Sequence, residues 1–232
     1  MKKLLLIVGV SILTLSACSE DSNQNKQELK EKQSSSHETT KQKKQSPQSK
    51  QIHEVKKKNG ITYIDGHVFV NKKVDLPSDY APGENRIARN HLNKLIEDAR
   101  KENLDLVFRS GYRSYSDQEQ LYKDYVARDG EAAANQYSAK PGQSEHQTGL
   151  TFDVGSDSAT DDFRTSFGKT DEGKWIKAHA HEYGFIVRYP EGKEKITGYQ
   201  YEPWHLRYVG KDLANKIYKE NTTLEEYFDY GK

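Results

Sequence analysis

The sequence contains very little cysteine: Cys18 is the only one in 232 residues. A disulfide framework and a structural metal site of four thiolates are therefore excluded, because each needs several cysteines. Long hydrophobic runs are also scarce, since the only one lies at the N-terminus. That scarcity excludes a multi-pass membrane protein.

Aromatic residues are absent from the first 60 residues, although the chain has 15 Tyr, 7 Phe and 2 Trp. A core needs large apolar side chains, so the folded part must lie in residues 61–232, a length that fits a single domain. Residues 19–60 are rich in Gln, Lys, Ser and Glu. Such a segment cannot bury enough surface to offset the entropy of ordering, which predicts a disordered tether.

A strong net charge is absent as well, with 36 Lys and Arg against 35 Asp and Glu. This balance hides a division, because residues 19–60 have a net charge of +4 and residues 61–232 a net charge of −5. An acidic folded domain offers no basic surface for phosphates. Nucleic acid is therefore excluded as a partner.

The N-terminus has the pattern of a bacterial export signal. Two lysines precede an apolar run at residues 4–15, which is shorter than the roughly 20 residues that span a membrane. The following LSAC, residues 15–18, resembles a lipobox, in which the signal is removed before the cysteine and the cysteine carries the lipid. The alternative is a plain secretory signal with a chance cysteine.

Three parts of the chain are predicted from this pattern. Residues 1–17 are the signal peptide, residues 18–60 are a lipid-anchored Cys18 with its tether, and residues 61–232 are the folded domain. Two acyl chains on Cys18 would anchor the protein stably. The predicted location is thus extracytoplasmic, on the outer side of a bacterial cell membrane.

Hydrophobic spacing in the domain predicts an α+β fold, with a small, mostly antiparallel sheet and flanking helices. Strands are predicted as a hairpin at 61–70 and at 104–111, 149–156, 184–190 and 197–210. Helices are predicted at 84–102, from Ser114 or Ser116 to about 128, and at 171–183, 210–220 and 223–229, with helix fragments and loop at 129–148.

Three segments carry residue types that suit a hydrolytic metal site: SGYRS (110–114), SEHQTGLTFD (144–153) and EPWH (202–205). His146, Asp153 and His205 offer two imidazole nitrogens and a carboxylate. This set suits Zn²⁺ and leaves a fourth position for water. Either histidine taken alone would be read as an ordinary surface or core residue.

Two further charged residues could take part in the chemistry. Glu202 could move a proton between water and a leaving amine, although it could also be a surface residue beside a turn. Residues three apart on a regular strand point to opposite faces, so a local irregularity is expected at Pro203 to bring Glu202 and His205 together. Arg113 offers a planar fork of donors for a carboxylate or an oxyanion, with a solvated salt bridge as the alternative.

Together the three segments resemble the zinc carboxypeptidases of bacterial cell walls, over roughly residues 60–230. These are the VanY-type D-alanyl-D-alanine carboxypeptidases and their LD-carboxypeptidase relatives. The family pattern Ser-x-His-x-x-Gly-x-Ala-x-Asp is matched at Ser144, His146, Gly149 and Asp153, and Thr151 stands where Ala is usual. The resemblance implies the zinc-bearing α+β fold that this family shares with lysostaphin-type endopeptidases and the hedgehog domain.

The resemblance also implies roles for individual residues. His146, Asp153 and His205 would be the zinc ligands, and Glu202 the catalytic base. Arg113 would stabilise the transition state or hold the substrate. Substrate contacts are implied for Gln118, Ser144 and Tyr189.

The function implied is removal of C-terminal D-Ala from peptidoglycan stem peptides, by a protein expected to act as a monomer. Preference for a tetrapeptide (LD) or a pentapeptide (DD) stays open. An endopeptidase on the same fold and a catalytically silent wall-binding module are the alternatives. A solute-binding lipoprotein would usually be larger than this domain.

Overall fold

The computed structural model describes residues 52–158 and 162–232. The predicted signal peptide, Cys18 and most of the predicted tether lie outside the described residues. Within the described ranges, none of the helices combines the length and the apolar character needed to cross a membrane.

Strands and helices alternate irregularly along the described chain. The strands are β1 (Val55–Lys58), β2 (Ile61–Ile64), β3 (His67–Phe69), β4 (Leu106–Ser110), β5 (Thr151–Ser156), β6 (Phe185–Tyr189) and β7 (Glu202–Tyr208). The α-helices are α1 (Arg86–Lys101), α2 (Tyr115–Asp129), α3 (Glu131–Tyr137), α4 (Asp171–His179), α5 (Glu194–Thr197), α6 (Lys211–Glu220) and α7 (Leu224–Phe228). Short 3-10 helices cover Glu145–Thr148, Thr165–Lys169 and Ala180–Tyr183.

The strands form two antiparallel sheets. One has the order β1-β2-β3, and the other has the order β4-β5-β7-β6. The predicted α+β class with a small antiparallel sheet and flanking helices is confirmed. Helix α2 begins after Ser114, whose side chain accepts a hydrogen bond from the backbone N–H of Asp117, so the first of the two predicted caps is the one used.

Strand β1 precedes residue 61, where the sequence predicts the domain to begin. Its residues VKKK are all exposed, so no alternation of apolar side chains marks it as a strand. Backbone pairing with β2 forms it instead, through the two-residue turn Asn59-Gly60, in which both residues have positive φ. An Asn-Gly pair is a strong hairpin signal, and that signal was available in the sequence.

The strand predicted at 197–210 is shorter in the structure. Helix α5 runs to Thr197, and Gly198 ends it in the left-handed conformation with φ of 78°. Strand β7 therefore begins only at Glu202. Similarly, the helix predicted at 171–183 is α4, which ends at His179 and continues as a 3-10 turn.

The main core lies between α1 and one face of the four-stranded sheet. Helix α1 buries Leu92 and Leu95, and these belong to the same hydrophobic cluster as Phe152 of β5 and Leu206 of β7. Phe152 and Leu206 are paired across the two strands. Because side chains alternate along a strand, the next residue on each strand points to the opposite face of the sheet.

Candidate active site

Asp153 and His205 are direct partners across β5 and β7, on the face of the sheet opposite the main core. Both are buried. His205 Nδ1 lies 3.4 Å from Asp153 Oδ1. Two residues 52 positions apart in the sequence are thus placed side by side by the register of the sheet.

His146 joins them from the 3-10 helix Glu145–Thr148. Its Nε2 lies 3.3 Å from Asp153 Oδ2, and its Nδ1 lies 2.7 Å from the carbonyl oxygen of Gly111. A carbonyl can only accept, so Nδ1 carries the proton and Nε2 keeps a free lone pair. Burial lowers the pKa of His146, which favours the neutral ring that a metal needs.

Gly149 explains why the motif needs glycine after His146. It ends the 3-10 helix in the left-handed conformation with φ of 69°. A Cβ atom there would overlap the carbonyl oxygen of Gly83. Glycine is therefore required by both backbone conformation and space.

The three side chains fit a zinc ion. One ligand atom from each of His146, Asp153 and His205 lies within 4.8 Å of the others. Asp153 Oδ1 is buried and has no hydrogen-bond partner among the described residues, which leaves a lone pair for a cation. Two imidazoles and a carboxylate are a donor set that Zn²⁺ prefers, with room for a fourth ligand.

Glu202 reaches the same point because β7 is irregular. Val187 pairs with Leu206 and Tyr189 with Glu202, so β7 has two more residues than β6 between these pairs. This confirms the irregularity expected at Pro203. Glu202 Oε2 lies 3.5 Å from His205 Nδ1.

The surroundings of Glu202 suit proton transfer. In the metal-free protein, burial raises the pKa of Glu202 to about 8, and the negative charges of Asp153 and Glu145 act in the same direction against the cations His205 and Lys72. A carboxyl group with a pKa near neutrality can both accept and return a proton.

Arg113 and Gln118 line the same cavity as the metal-binding residues. The Arg113 backbone N–H donates to the carbonyl of His146, and Arg113 Nη1 donates to Gln118 Oε1 at 2.8 Å. Gln118 is buried, and its amide donates to the carbonyl of Ala139 at 2.7 Å. In this arrangement Gln118 holds the Arg113 guanidinium in place.

All the residues predicted to form the site line one cavity of about 650 Å³. They are Arg113, Gln118, Ser144, His146, Asp153, Tyr189, Glu202 and His205. The Tyr189 ring lies 4.7 Å from the His205 ring and 4.4 Å from the Tyr199 ring, measured between centroids. This wall places aromatic faces beside the metal ligand.

Three neighbouring residues were not given a role from the sequence. Ser110 Oγ donates to Asp153 Oδ2 at 2.6 Å. The Tyr199 hydroxyl is buried in the cavity wall and has no partner among the described residues. Glu145 lies behind His205, with its Oε2 3.6 Å from His205 Nε2. Ser110 and Glu145 stand inside the predicted motifs, so motif position was the signal that could have found them.

Thr151 is fully buried on β5. It lies two residues before Asp153, and residues two apart on a strand share a face. It donates to Glu145 Oε2 at 3.5 Å. The extra hydroxyl thus contacts the carboxylate behind a metal ligand rather than a ligand itself.

Comparison with known proteins gives a consistent result. The family profile described as "VanY: D-alanyl-D-alanine carboxypeptidase" matches residues 84–211. The protein YodJ of Bacillus subtilis (strain 168) is 39% identical over 216 residues, which cover 83% of this chain and 79% of YodJ.

Two solved structures are also similar. The LdcB LD-carboxypeptidase, whose structure addresses peptidoglycan recognition, is 44% identical with a TM-score of 0.69, over 76% of this chain and 95% of that one. A mutant of the vancomycin resistance D,D-pentapeptidase VanY, in complex with Zn(II), is 33% identical with a TM-score of 0.59, over 69% and 97%.

Proposed function

The chain belongs to the VanY family of D-alanyl-D-alanine carboxypeptidases, and from this membership we propose that it is a zinc carboxypeptidase acting on peptidoglycan stem peptides. One observation carries the proposal. The ligand set His146, Asp153 and His205 lies in one cavity with Glu202, whose carboxylate is 3.5 Å from His205 Nδ1. A hydrolytic site needs a metal position with a proton acceptor at this range.

Zinc is the cofactor that this donor set fits. When bound, it would polarise the carbonyl of the scissile amide and lower the pKa of water in the site. His146, Asp153 and His205 would hold it, with Ser110 and the Gly111 carbonyl orienting two of the three ligands.

The chain's own groups supply the remaining steps. Glu202 takes a proton from the attacking water and returns it to the nitrogen of the leaving D-amino acid. Arg113, held by Gln118, offers its guanidinium to the oxyanion of the transition state or to the terminal carboxylate. Ser144 and Tyr189 lie on the cavity wall where substrate contacts are proposed.

We favour the tetrapeptide stem, and thus LD-carboxypeptidase activity, over the pentapeptide. The chain is 44% identical to the LD-carboxypeptidase LdcB with a TM-score of 0.69, against 33% and 0.59 for the D,D-pentapeptidase VanY. A silent wall-binding module is not favoured, because all three ligands and Glu202 are present. An endopeptidase is not favoured either, because the matching family and the similar structures are carboxypeptidases.

The location is proposed from the N-terminal sequence. A lipid on Cys18 would hold the protein on the outer side of the membrane, with residues 19–60 as the tether that lets the domain reach the cell wall. The domain is proposed to act as a monomer.

The experiment that tests this function compares two stem peptides. Residues 19–232, loaded with zinc, are incubated separately with a tetrapeptide ending in L-Lys-D-Ala and a pentapeptide ending in D-Ala-D-Ala, and released D-Ala is measured by mass spectrometry. EDTA-treated protein and Glu202→Gln are the controls. Metal-dependent release from the tetrapeptide is expected. Release from the pentapeptide alone would reverse the specificity, and release from neither by zinc-bound protein would overturn the carboxypeptidase function.

A further inference from the structure

We propose that Glu145, together with Thr151, is a positioning residue that fixes the His205 ring so that Nδ1 is the nitrogen presented to the metal. The inference rests on the proposed zinc site. It concerns a buried carboxylate that makes no contact with substrate in the mechanism above.

The two nitrogens of His205 face different groups. Nδ1 lies 3.4 Å from Asp153 Oδ1 and 3.5 Å from Glu202 Oε2, on the side of the cavity. Nε2 is buried and has no hydrogen-bond partner among the described residues. Glu145 Oε2 lies 3.6 Å from Nε2, slightly beyond hydrogen-bond length. A small rotation of the ring would close this bond, with Nε2–H donating.

Glu145 is fixed in place by buried arginine side chains. Its Oε1 accepts hydrogen bonds from Arg188 Nε and Arg207 Nη1, both at 2.8 Å. Arg188 is in turn held by Glu225 through bonds of 2.9 and 2.6 Å. All four side chains are buried. Removing one partner from such a network leaves a buried charge unpaired, which is strongly destabilising, so the network resists rearrangement.

Glu145 is also kept in its negatively charged form. Two buried guanidinium groups, those of Arg188 and Arg207, donate to its carboxylate, and this pairing keeps a buried carboxyl group ionised. The group behind His205 is therefore an anion that can only accept a hydrogen bond. An acceptor behind an imidazole selects the tautomer with the proton on the near nitrogen and raises the basicity of the far one.

The two histidine ligands differ in this respect. His146 donates to the neutral carbonyl of Gly111, whereas His205 faces the carboxylate of Glu145. His205 is thus the ligand whose donor strength depends on a charged partner.

Thr151 adds a second donor to the same oxygen. Its Oγ1 lies 3.5 Å from Glu145 Oε2, the oxygen that faces His205. Arg188 and Arg207 both donate to Oε1, whereas the hydroxyl of Thr151 donates to Oε2. It helps to set the angle at which the carboxylate meets the ring.

The first test replaces the carboxylate by an amide. In Glu145→Gln the carbonyl oxygen must face the two arginines, so the NH₂ group faces His205 Nε2–H and donor meets donor. We expect zinc affinity, measured by competition with a chelator, to fall by roughly 10- to 100-fold, the usual effect of losing the hydrogen-bond acceptor behind a metal-binding histidine. Glu225→Gln is the matched control, because Glu225 is an equally buried partner of Arg188 without a contact to His205. It should lower stability while leaving zinc affinity within about twofold of the starting protein.

The second test keeps the arginine network intact. Thr151→Val removes only the hydroxyl and should weaken zinc binding a few-fold, and Thr151→Ser should restore it. In the zinc-bound protein with unchanged sequence, ¹⁵N NMR of His205 should show the proton on Nε2. Coordination through Nε2, or unchanged zinc affinity in a folded Glu145→Gln protein, would overturn the inference. These readouts do not use catalysis, so a failed carboxypeptidase assay would count against the proposed function and leave this test valid.

Discussion

Glu202 Oε2 lies 3.5 Å from His205 Nδ1, the nitrogen through which His205 also faces Asp153. The bulge at Pro203 makes this possible, because a regular strand would turn the two side chains to opposite faces. One short segment therefore supplies both a metal ligand and the proposed base.

Mutation should distinguish the role of Glu202 as the base from the role of His205 as a metal ligand. Glu202→Gln keeps the shape of the side chain but removes the proton acceptor, so turnover should fall by about 10²- to 10⁴-fold while zinc stays bound. His205→Ala removes a ligand and should lower zinc content together with turnover. Activity assays paired with metal analysis check both. If Glu202→Gln retained full turnover, another residue would have to be the base.

Zinc binding should release a proton near neutral pH. In the metal-free protein, burial lowers the pKa of His205 but its interactions with Asp153 and Glu145 outweigh burial and raise that pKa to about 9. Zinc binds the neutral ring, so below pH 9 it must displace this proton. The apparent affinity should therefore rise with pH, by about tenfold per unit for one proton, and level off above about pH 9.

Calorimetry in two buffers of different ionisation enthalpy measures this proton directly. His146 should contribute little, because burial lowers the pKa of its ring. An affinity for zinc that stays constant from pH 7 to 9 would contradict the expected protonation of His205.

Arg113 and Gln118 should act as a unit. Arg113 Nη1 donates a hydrogen bond to Gln118 Oε1, and the Gln118 amide in turn donates to the Ala139 carbonyl. Arg113→Lys loses the planar fork, so kcat/KM should fall by roughly 10²- to 10³-fold, as for loss of an oxyanion donor. Gln118→Leu should lower kcat/KM by less.

The double variant provides the decisive comparison. If Gln118 acts through Arg113, adding Gln118→Leu to Arg113→Lys should change kcat/KM by less than about twofold. Fully additive losses would instead mean that Gln118 contacts the substrate independently, as the family resemblance implies.

The metal ligands were predictable because their signal is local or carried by motifs. His146 and Asp153 stand seven residues apart in one motif, and His205 stands in a second. The irregularity at Pro203 was predictable too, since Glu202 and His205 could not otherwise share a face.

The buried network of charged side chains behind the metal ligands was not predictable from the sequence. Glu145, Arg188, Arg207 and Glu225 come from four different elements and meet only in the folded chain. Taken singly, each would be expected on the surface, because charged residues are rarely buried unless paired. Pairing depends on the register of β6 and β7, which hydrophobic spacing does not reveal.

Gly149 offers a test of the scaffold that carries His146. Gly149→Ala places a Cβ against the Gly83 carbonyl and requires a left-handed conformation at φ of 69°. Gly66→Ala is the matched control, because Gly66 also has positive φ, 84°, but has open space around it. The control should lose about 1 kcal/mol in the free energy of unfolding, and Gly149→Ala at least about 2 kcal/mol.

Since the overlap pushes on the segment that holds His146, Gly149→Ala should also weaken zinc binding, whereas Gly66→Ala should not. Denaturant unfolding and chelator competition measure the two effects, and equal losses in both variants would show that backbone conformation, rather than the close approach to Gly83, sets the need for glycine.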